Sequence, residues 1–260
     1  MAPEQSFDNL VADALSHPIT GWDFSYVAGR YVSEDPPWVY ENCVLPYVET
    51  ASKMLDVDTG GGEVLLRLNK QARQWPAYCY AIEAYEPNMT VATKALASLG
   101  VHVAQYWPNQ PLPFESANQT NGFDLIINRH GTLNAQEYAR ITKKGGYFIT
   151  QQVGSEMNGA LNRALGAPLG EYADLSLNKA TQQLESAGYK IIAAQEVKPD
   201  IKFTDIGAIV WYLESVPWQI VGFTVEKYAT QLQTLHKQIL ANGPFQSQGH
   251  AFYIEAELIK

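Results

Sequence analysis

Between residues 53 and 197, short apolar runs alternate with segments whose apolar residues recur every three or four positions. The runs "KMLDVD", "AYCYAIEAYE", "VHVAQYW", "NGFDLIINRHG" and "YFITQQVG" have the length and side-chain character of strands. The fourth is apolar at Phe123, Leu125, Ile126 and Ile127, the pattern of a strand buried on both faces. "GEVLLRLNKQA" spaces Val64, Leu65 and Leu68 along one helical face. Pro87 opens a second helix and Gly100 stops it, and "LNAQEYARITKKGG" reads as a third, basic in its last turn. "LSLNKATQQLESAG" and "YKIIAAQEVK" add a helix and a strand, and "HAFYIEAELI" suits a last strand. The alternation predicts an α/β domain with a doubly wound, mostly parallel sheet of seven strands.

The flanks break this rhythm. Residues 1–52 read as helical segments rich in aromatics, among them Trp22, Phe24, Tyr26 and Trp38. Residues 201–245 contain "FTDIGAIVWYLESVPWQIVGF" and an amphipathic helix, "VEKYATQLQTLHKQILANG". The expected organisation is one domain over 1–260: an N-terminal helical cap to 52, a core over 53–200, a lid insertion over 201–245 and a last strand from 246. The aromatics of the two flanks either roof an apolar pocket or form the cores of helical caps.

Composition narrows the function classes. A net charge of −9 argues against a phosphate-gripping surface. Cys43 and Cys79 are too few for a disulfide framework or a four-thiolate zinc site. His17, His102, His236 and His250 are scattered without metal-ligand spacing, so no metal is expected. The N-terminus has no basic and apolar leader pattern, and no run reaches about 18 apolar residues. These features predict a cytoplasmic protein with no membrane span.

"MLDVDTGGGEVLLRL" runs a strand through three glycines into a helix. The dinucleotide pattern G-x-G-x-x-G fails, because Leu65 stands at its third glycine, and the phosphate P-loop is absent. The helix N–H groups still face the strand ends, ready for a carboxylate or hydroxyl. In "LDVDTGGGE" the chain resembles the class I S-adenosylmethionine-dependent methyltransferases, whose first motif is a strand, an acid and a glycine-rich turn. "YAIEAYEPNM", "PLPF…GFDLIINRHG" and "ITKKGGYFIT" resemble later segments of that family, in order. The resemblance covers about residues 50–155 well and 175–197 loosely, and implies a Rossmann-like fold with S-adenosylmethionine as cofactor.

It also implies roles for residues. Glu83 corresponds to the acid that binds the ribose hydroxyls, and one carboxylate suits a vicinal diol. Asp56, Thr59, Gly60 and Gly62 correspond to the glycine motif, with Asp56 either capping the turn or countering the cofactor's cationic charge. Ala84 and Tyr85 follow Glu83, and Tyr85, Tyr106 and Trp107 are candidates to cover the adenine. Asn128 ends the fourth strand beside the methionine portion. Asp58 departs from the family, which commonly has glycine there. On a continuous strand Asp56 and Asp58 point the same way, about 7 Å apart. Asp58 then pairs with the cofactor's ammonium or crowds its carboxylate. It reads as tolerated variation, as weakened binding or as lost catalysis.

At the reacting end, His130 is the candidate base, or else a histidine bonded to loop backbone. Arg129 either grips an acidic acceptor or pairs with Asp124 or Glu137. Trp22 and Trp211 are the aromatic candidates for the acceptor site, and Gln151 and Gln152 line the pocket or satisfy backbone. The reading favours methyl transfer to a small molecule. An RNA or nucleoside methyltransferase and a non-catalytic cofactor-binding protein are the alternatives, and the oligomeric state is open.

Overall fold

The computed structural model describes residues 6–19, 23–108, 110–118, 121–170 and 172–260. The first elements are α1 (Phe7–Leu15), β1 (Tyr31–Ser33), α2 (Tyr40–Val48), β2 (Lys53–Val57), α3 (Glu63–Gln71) and β3 (Tyr78–Glu83). Next come α4 (Glu86–Leu96), β4 (His102–Gln105), β5 (Phe123–Arg129), α5 (Ala135–Ile141), β6 (Thr142–Val153) and α6 (Gly159–Leu165). The chain continues through α7 (Leu177–Ala187), β7 (Tyr189–Val197), β8 (Asp200–Phe203) and α8 (Ile206–Ser215). It closes with α9 (Ala229–Asn242), β9 (Phe245–Gln248) and β10 (Ala251–Leu258).

Two compact units emerge. One gathers Met1–Pro36, Gly154–Leu175 and Val197–Ala251, the other Pro37–Val153, Ser176–Glu196 and Phe252–Lys260. The second holds the predicted sheet, seven strands in the order β4-β3-β2-β5-β6-β10-β7, mixed and mostly parallel. Met54, Leu55 and Val57 of β2 and Ile126 and Ile127 of β5 are wholly buried, which is why these segments read as largely apolar runs. From β2 the chain steps outward to β3 and β4, then returns to β5 on the other side. That reversal opens a crevice beyond the carboxyl ends of β2 and β5, where open α/β sheets bind ligands.

One expected helix is shorter than its sequence pattern. The segment around Lys143 and Lys144 does not end α5 but begins β6, with Thr142 paired to Phe123 and a register shift before Leu125. Gly145, at φ +78°, takes the left-handed turn of that irregularity.

In the other unit, β1, β8 and β9 form a three-stranded antiparallel sheet that the helical reading of the flanks did not foresee. Ile201 and Phe203 of β8 point into a core with α1, α8 and α9. Asp205 caps α8 by accepting the Ala208 N–H at 3.0 Å and pairs with Arg30 at 2.7 Å. Among the described residues, no helix is long and apolar enough to cross a membrane. Cys43 and Cys79 are free thiols.

Candidate cofactor site

β2 ends at Val57, and the next five residues form the glycine turn that leads into α3. Gly60 and Gly62 sit at φ +61° and +89°, where a side chain is strained. Gly62 is also pressed against α4, for a Cβ there would lie 2.8 Å from Leu96 Cγ. The turn is held by carboxylates. Asp56 accepts from the Thr59 hydroxyl at 2.7 Å, and Glu83 Oε2 accepts from the Gly60 N–H at 2.7 Å. Glu83 Oε1 accepts from the Tyr85 N–H at 2.8 Å, so β3 and the turn are tied by one buried side chain.

Burial pushes the Asp56 carboxyl up to about 7, opposed by the Thr59 hydroxyl and reinforced by the charges of Asp58, Glu83 and Glu63. Burial also raises Glu83, opposed by the N–H groups of Tyr85 and Gly60. Among the described residues, none of these four carboxylates has an ion pair.

Asp58 does not follow the strand alternation that set it beside Asp56. It lies past the end of β2 with φ +56°, a conformation that aspartate tolerates better than most residues. Its carboxylate accepts from the Tyr106 hydroxyl at 2.5 Å and from the Thr132 N–H at 2.6 Å. It therefore joins the loops after β4 and β5. Gly131 makes room for it, since a Cβ there would fall 2.5 Å from Asp58 Oδ2.

No family model matches the chain, and no curated protein matches it. Solved structures do. A protein of Bacillus halodurans assigned as a methyltransferase is similar at TM-score 0.58 and 16% identity, over 85% of this chain and 99% of its own. A protein of Galdieria sulphuraria assigned as a sarcosine dimethylglycine methyltransferase follows at 0.51 and 12%, over 84% and 82%. The chain has the class I S-adenosylmethionine-dependent methyltransferase fold. The cyclase SpnF is also similar, at 0.50 and 15% identity over 98% of this chain and 93% of its own, so the methyltransferase fold by itself does not fix a reaction.

In this methyltransferase fold the residues at the end of β5 divide into two sets. Asn128 is fully buried and engaged within the sheet. Its Nδ2 donates to the Val57 carbonyl at 3.0 Å, and its Oδ1 accepts from Thr150 at 3.2 Å and Gln152 at 2.5 Å. It acts as a polar brace under the glycine turn. His130, at φ +59°, leaves the strand, and its N–H donates to the Gln151 carbonyl at 2.8 Å. The buried Trp38 indole donates to Gln151 Oε1 at 2.8 Å, which turns the amide nitrogen toward His130 Nε2 at 3.1 Å. An amide nitrogen only donates, so Nε2 is the acceptor and the ring proton sits on Nδ1. His130 is exposed as a residue, yet desolvation of the ring and then the Arg129 charge push the imidazole down to about 4. Both causes act in one direction, and the ring is neutral at pH 7.

The Arg129 Nε is buried without a partner, and Arg129 has no ion pair among the described residues. Asp124 and Glu137 pair with Lys143 and Arg140 instead. Tyr85 and Trp107 stand at the ends of β3 and β4, each two residues past the registered pair Glu83–Gln105, and both are more than half exposed. Ala84 lies between Glu83 and Tyr85 and is half-buried. Trp211 corrects the expectation of an acceptor wall: it is 2% exposed in the core of the other unit, its indole donating to the His17 carbonyl and its ring packed on Phe24 and Tyr26. Trp22 lies outside the described residues.

Two clefts of the sheet unit, of about 440 and 460 Å³, lie away from these strand ends, one between α5 and α7 and one beside Thr142, Lys143 and Lys144. Neither contains a predicted site residue, and the strand-end crevice is where the chemistry-bearing groups converge. Trp38 and Thr132 entered the site unforeseen. Glu63 had a visible signal, an acid at the first position of a helix after a glycine turn.

Proposed function

We propose that this protein binds S-adenosylmethionine at the glycine turn and transfers its methyl group to a small-molecule acceptor. The observation that carries the reading is Glu83, a buried carboxylate bonded to the Gly60 N–H at the mouth of the topological switch point. The residues fit the group. The Gly60, Tyr85 and Ala84 N–H groups act on the Glu83 carboxylate, and an ionised carboxylate offers about four acceptor positions, which leaves it capacity for a ribose hydroxyl. Tyr85 and Trp107 offer exposed aromatic faces beside it for adenine. The carboxylates of Asp56, Glu63 and Glu83 supply negative charge for a cationic ligand.

When bound, the cofactor supplies a methyl group on a positively charged sulfur, so the reaction is a displacement governed by alignment. His130 presents a neutral ring whose Nε2 lone pair is oriented by Gln151 and Trp38. A base this weak takes a proton only from an acceptor atom that turns acidic as its bond to methyl forms. Arg129 offers an unpaired guanidinium for an acidic group on the acceptor. The charge of −9 supports a small molecule over RNA or its nucleosides, and the free thiols suit the reducing cytoplasm. Binding without turnover is the second reading, and it draws on Asp58, a carboxylate at a position where the family commonly has glycine.

Calorimetry with S-adenosylmethionine tests the binding, and Glu83→Gln is expected to weaken it at least about tenfold. Unchanged affinity in that variant would remove the adenosyl assignment. Labelled cofactor with a fractionated cell extract tests the acceptor. Label in the small-molecule fraction supports the proposal, label in RNA replaces it, and tight binding without label selects the second reading.

A further inference from the structure

Three consecutive residues of the glycine turn are each met by a different carboxylate. Asp56 takes the Thr59 hydroxyl, Glu83 takes the Gly60 N–H, and the Glu63 carboxylate lies where a Cβ on Gly61 would stand. Their surroundings differ. Glu83 is held by two backbone N–H groups and Asp58 by Tyr106 and Thr132, while Glu63 is exposed to water. Asp56 is 3% exposed, and the Thr59 hydroxyl donates to it. An ionised carboxylate so placed has little access to solvent and no ion-pair partner among the described residues, which favours the protonated acid. A cation arriving at the turn reverses that balance.

We propose that Asp56 distinguishes the sulfonium cofactor from its neutral thioether product by giving up its proton more completely when the positively charged sulfur is present. This rests on the cofactor reading above. With the cofactor held at the turn, the Asp56 carboxylic acid would give its proton to solvent, and the carboxylate left behind would offset the positive charge of the sulfonium. After methyl transfer the sulfur is neutral, and Asp56 takes a proton back from solvent. The site thus favours charged cofactor over spent product by an amount that grows with pH. The neighbours leave this assignment to Asp56. Acting on it are Asp58 and Glu63 from the turn and Glu83 from β3. Cys79 on β3 and Tyr40 on α2 are themselves pushed up by burial and by the Asp56 charge, and stay neutral. Arg129 of β5, the cation of this neighbourhood, acts on Tyr40, Glu41 and His130. Burial already opposes the charge of Asp56 by pushing its carboxyl to about 7, where a bound cation changes its protonation most.

The test is calorimetry of the whole protein with S-adenosylmethionine and with S-adenosylhomocysteine, in buffers of different ionisation enthalpy near pH 7. The cofactor is expected to release several tenths of a proton more than the product. Its affinity relative to the product is expected to rise by about five- to tenfold from about pH 6 to about pH 8, because only the unit below the free carboxyl's value near 7 falls in that range, and to level off above it. Asp56→Asn keeps an oxygen for Thr59 and is expected to abolish both effects. Equal proton release for the two ligands in the unaltered protein overturns the proposal and leaves the cofactor reading intact. A difference that persists in folded Asp56→Asn overturns the assignment to Asp56. If neither ligand binds, the cofactor reading fails and this inference with it.

Discussion

Replacing Asp56 with Asn is expected to stabilise the sheet unit in alkali and to change it little in acid. Asp56 is buried and its carboxyl is pushed up to about 7, against about 3.9 in an unfolded chain. Below about pH 4 both states hold the proton and the group contributes nothing. Between about pH 4 and 7 the unfolded chain has lost a proton that the native protein keeps. Native stability then falls as pH rises, by about 1.4 kcal/mol per unit. Above about pH 7 both states are ionised and the loss levels off near 4 kcal/mol, the equivalent of three units. Asn has the same shape, can still accept the Thr59 hydroxyl, and has no proton to lose. The advantage of the variant should therefore climb across that window and then become flat. Amide hydrogen exchange of β2 and β5 at about pH 5 and pH 8 reads the stability of the sheet unit itself. Most other titrations cancel in the difference between variant and parent. A difference that does not change with pH would refute the reasoning, because it would mean that Asp56 is already ionised in the native protein.

Gly62→Ala is expected to cost about 3 kcal/mol in a denaturation experiment, combining left-handed strain with the Leu96 contact. Gly145→Ala, also left-handed but facing open space, should cost only about 1 kcal/mol, and equal losses would discount the contact. The His130 ring is expected to stay neutral, with its proton on Nδ1, down to about pH 5 by NMR, and a midpoint near 6.5 would show that desolvation does not govern it. His236 has two buried ring nitrogens without partners, so His236→Leu should raise the urea midpoint by the equivalent of about 1 kcal/mol, and a loss of stability would reveal a bonded nitrogen.

The sequence made the sheet readable where burial is two-sided. β2 and β5 lie between neighbours in the sheet, so most of their core positions are apolar and announce themselves, with the buried Asp56 and Asn128 as the polar exceptions. Glu83 came from the family resemblance, which put an acid at the end of this strand, and it lies there buried and bonded to the glycine turn. Readings failed where a contact distant in sequence decides the outcome. Asn128 carries no local mark of its role as a brace, which depends on the parallel register that sets it beside Thr150. Gln151 gains its orientation from Trp38, 113 residues away. The β8 segment "DIKF" does alternate, with Ile201 and Phe203 inward, but four residues among helical patterns are too few to decide without β1 and β9 to pair with.

Asp58 carries a different lesson about local rules. The two-residue period that placed it beside Asp56 holds only while the chain remains a strand, and β2 stops one residue earlier. Past that point its positive φ turns the carboxylate to the loops after β4 and β5. The strain of a left-handed non-glycine, about 1–3 kcal/mol, is offset by the two short hydrogen bonds that its side chain accepts. The bond to Thr132 in turn requires Gly131 to lack a side chain, since a Cβ there would strike both Asp58 and Asn128. The glycine that the family commonly has at position 58 is replaced here by a pair, Asp58 with Gly131, so the departure is accommodated structurally. A carboxylate committed to two protein donors is a poorer partner for a ligand ammonium than its position in the motif implies. That leaves Asp56, buried under the turn with the Thr59 hydroxyl donating to it, as the acid on which the proposed discrimination between cofactor and product rests.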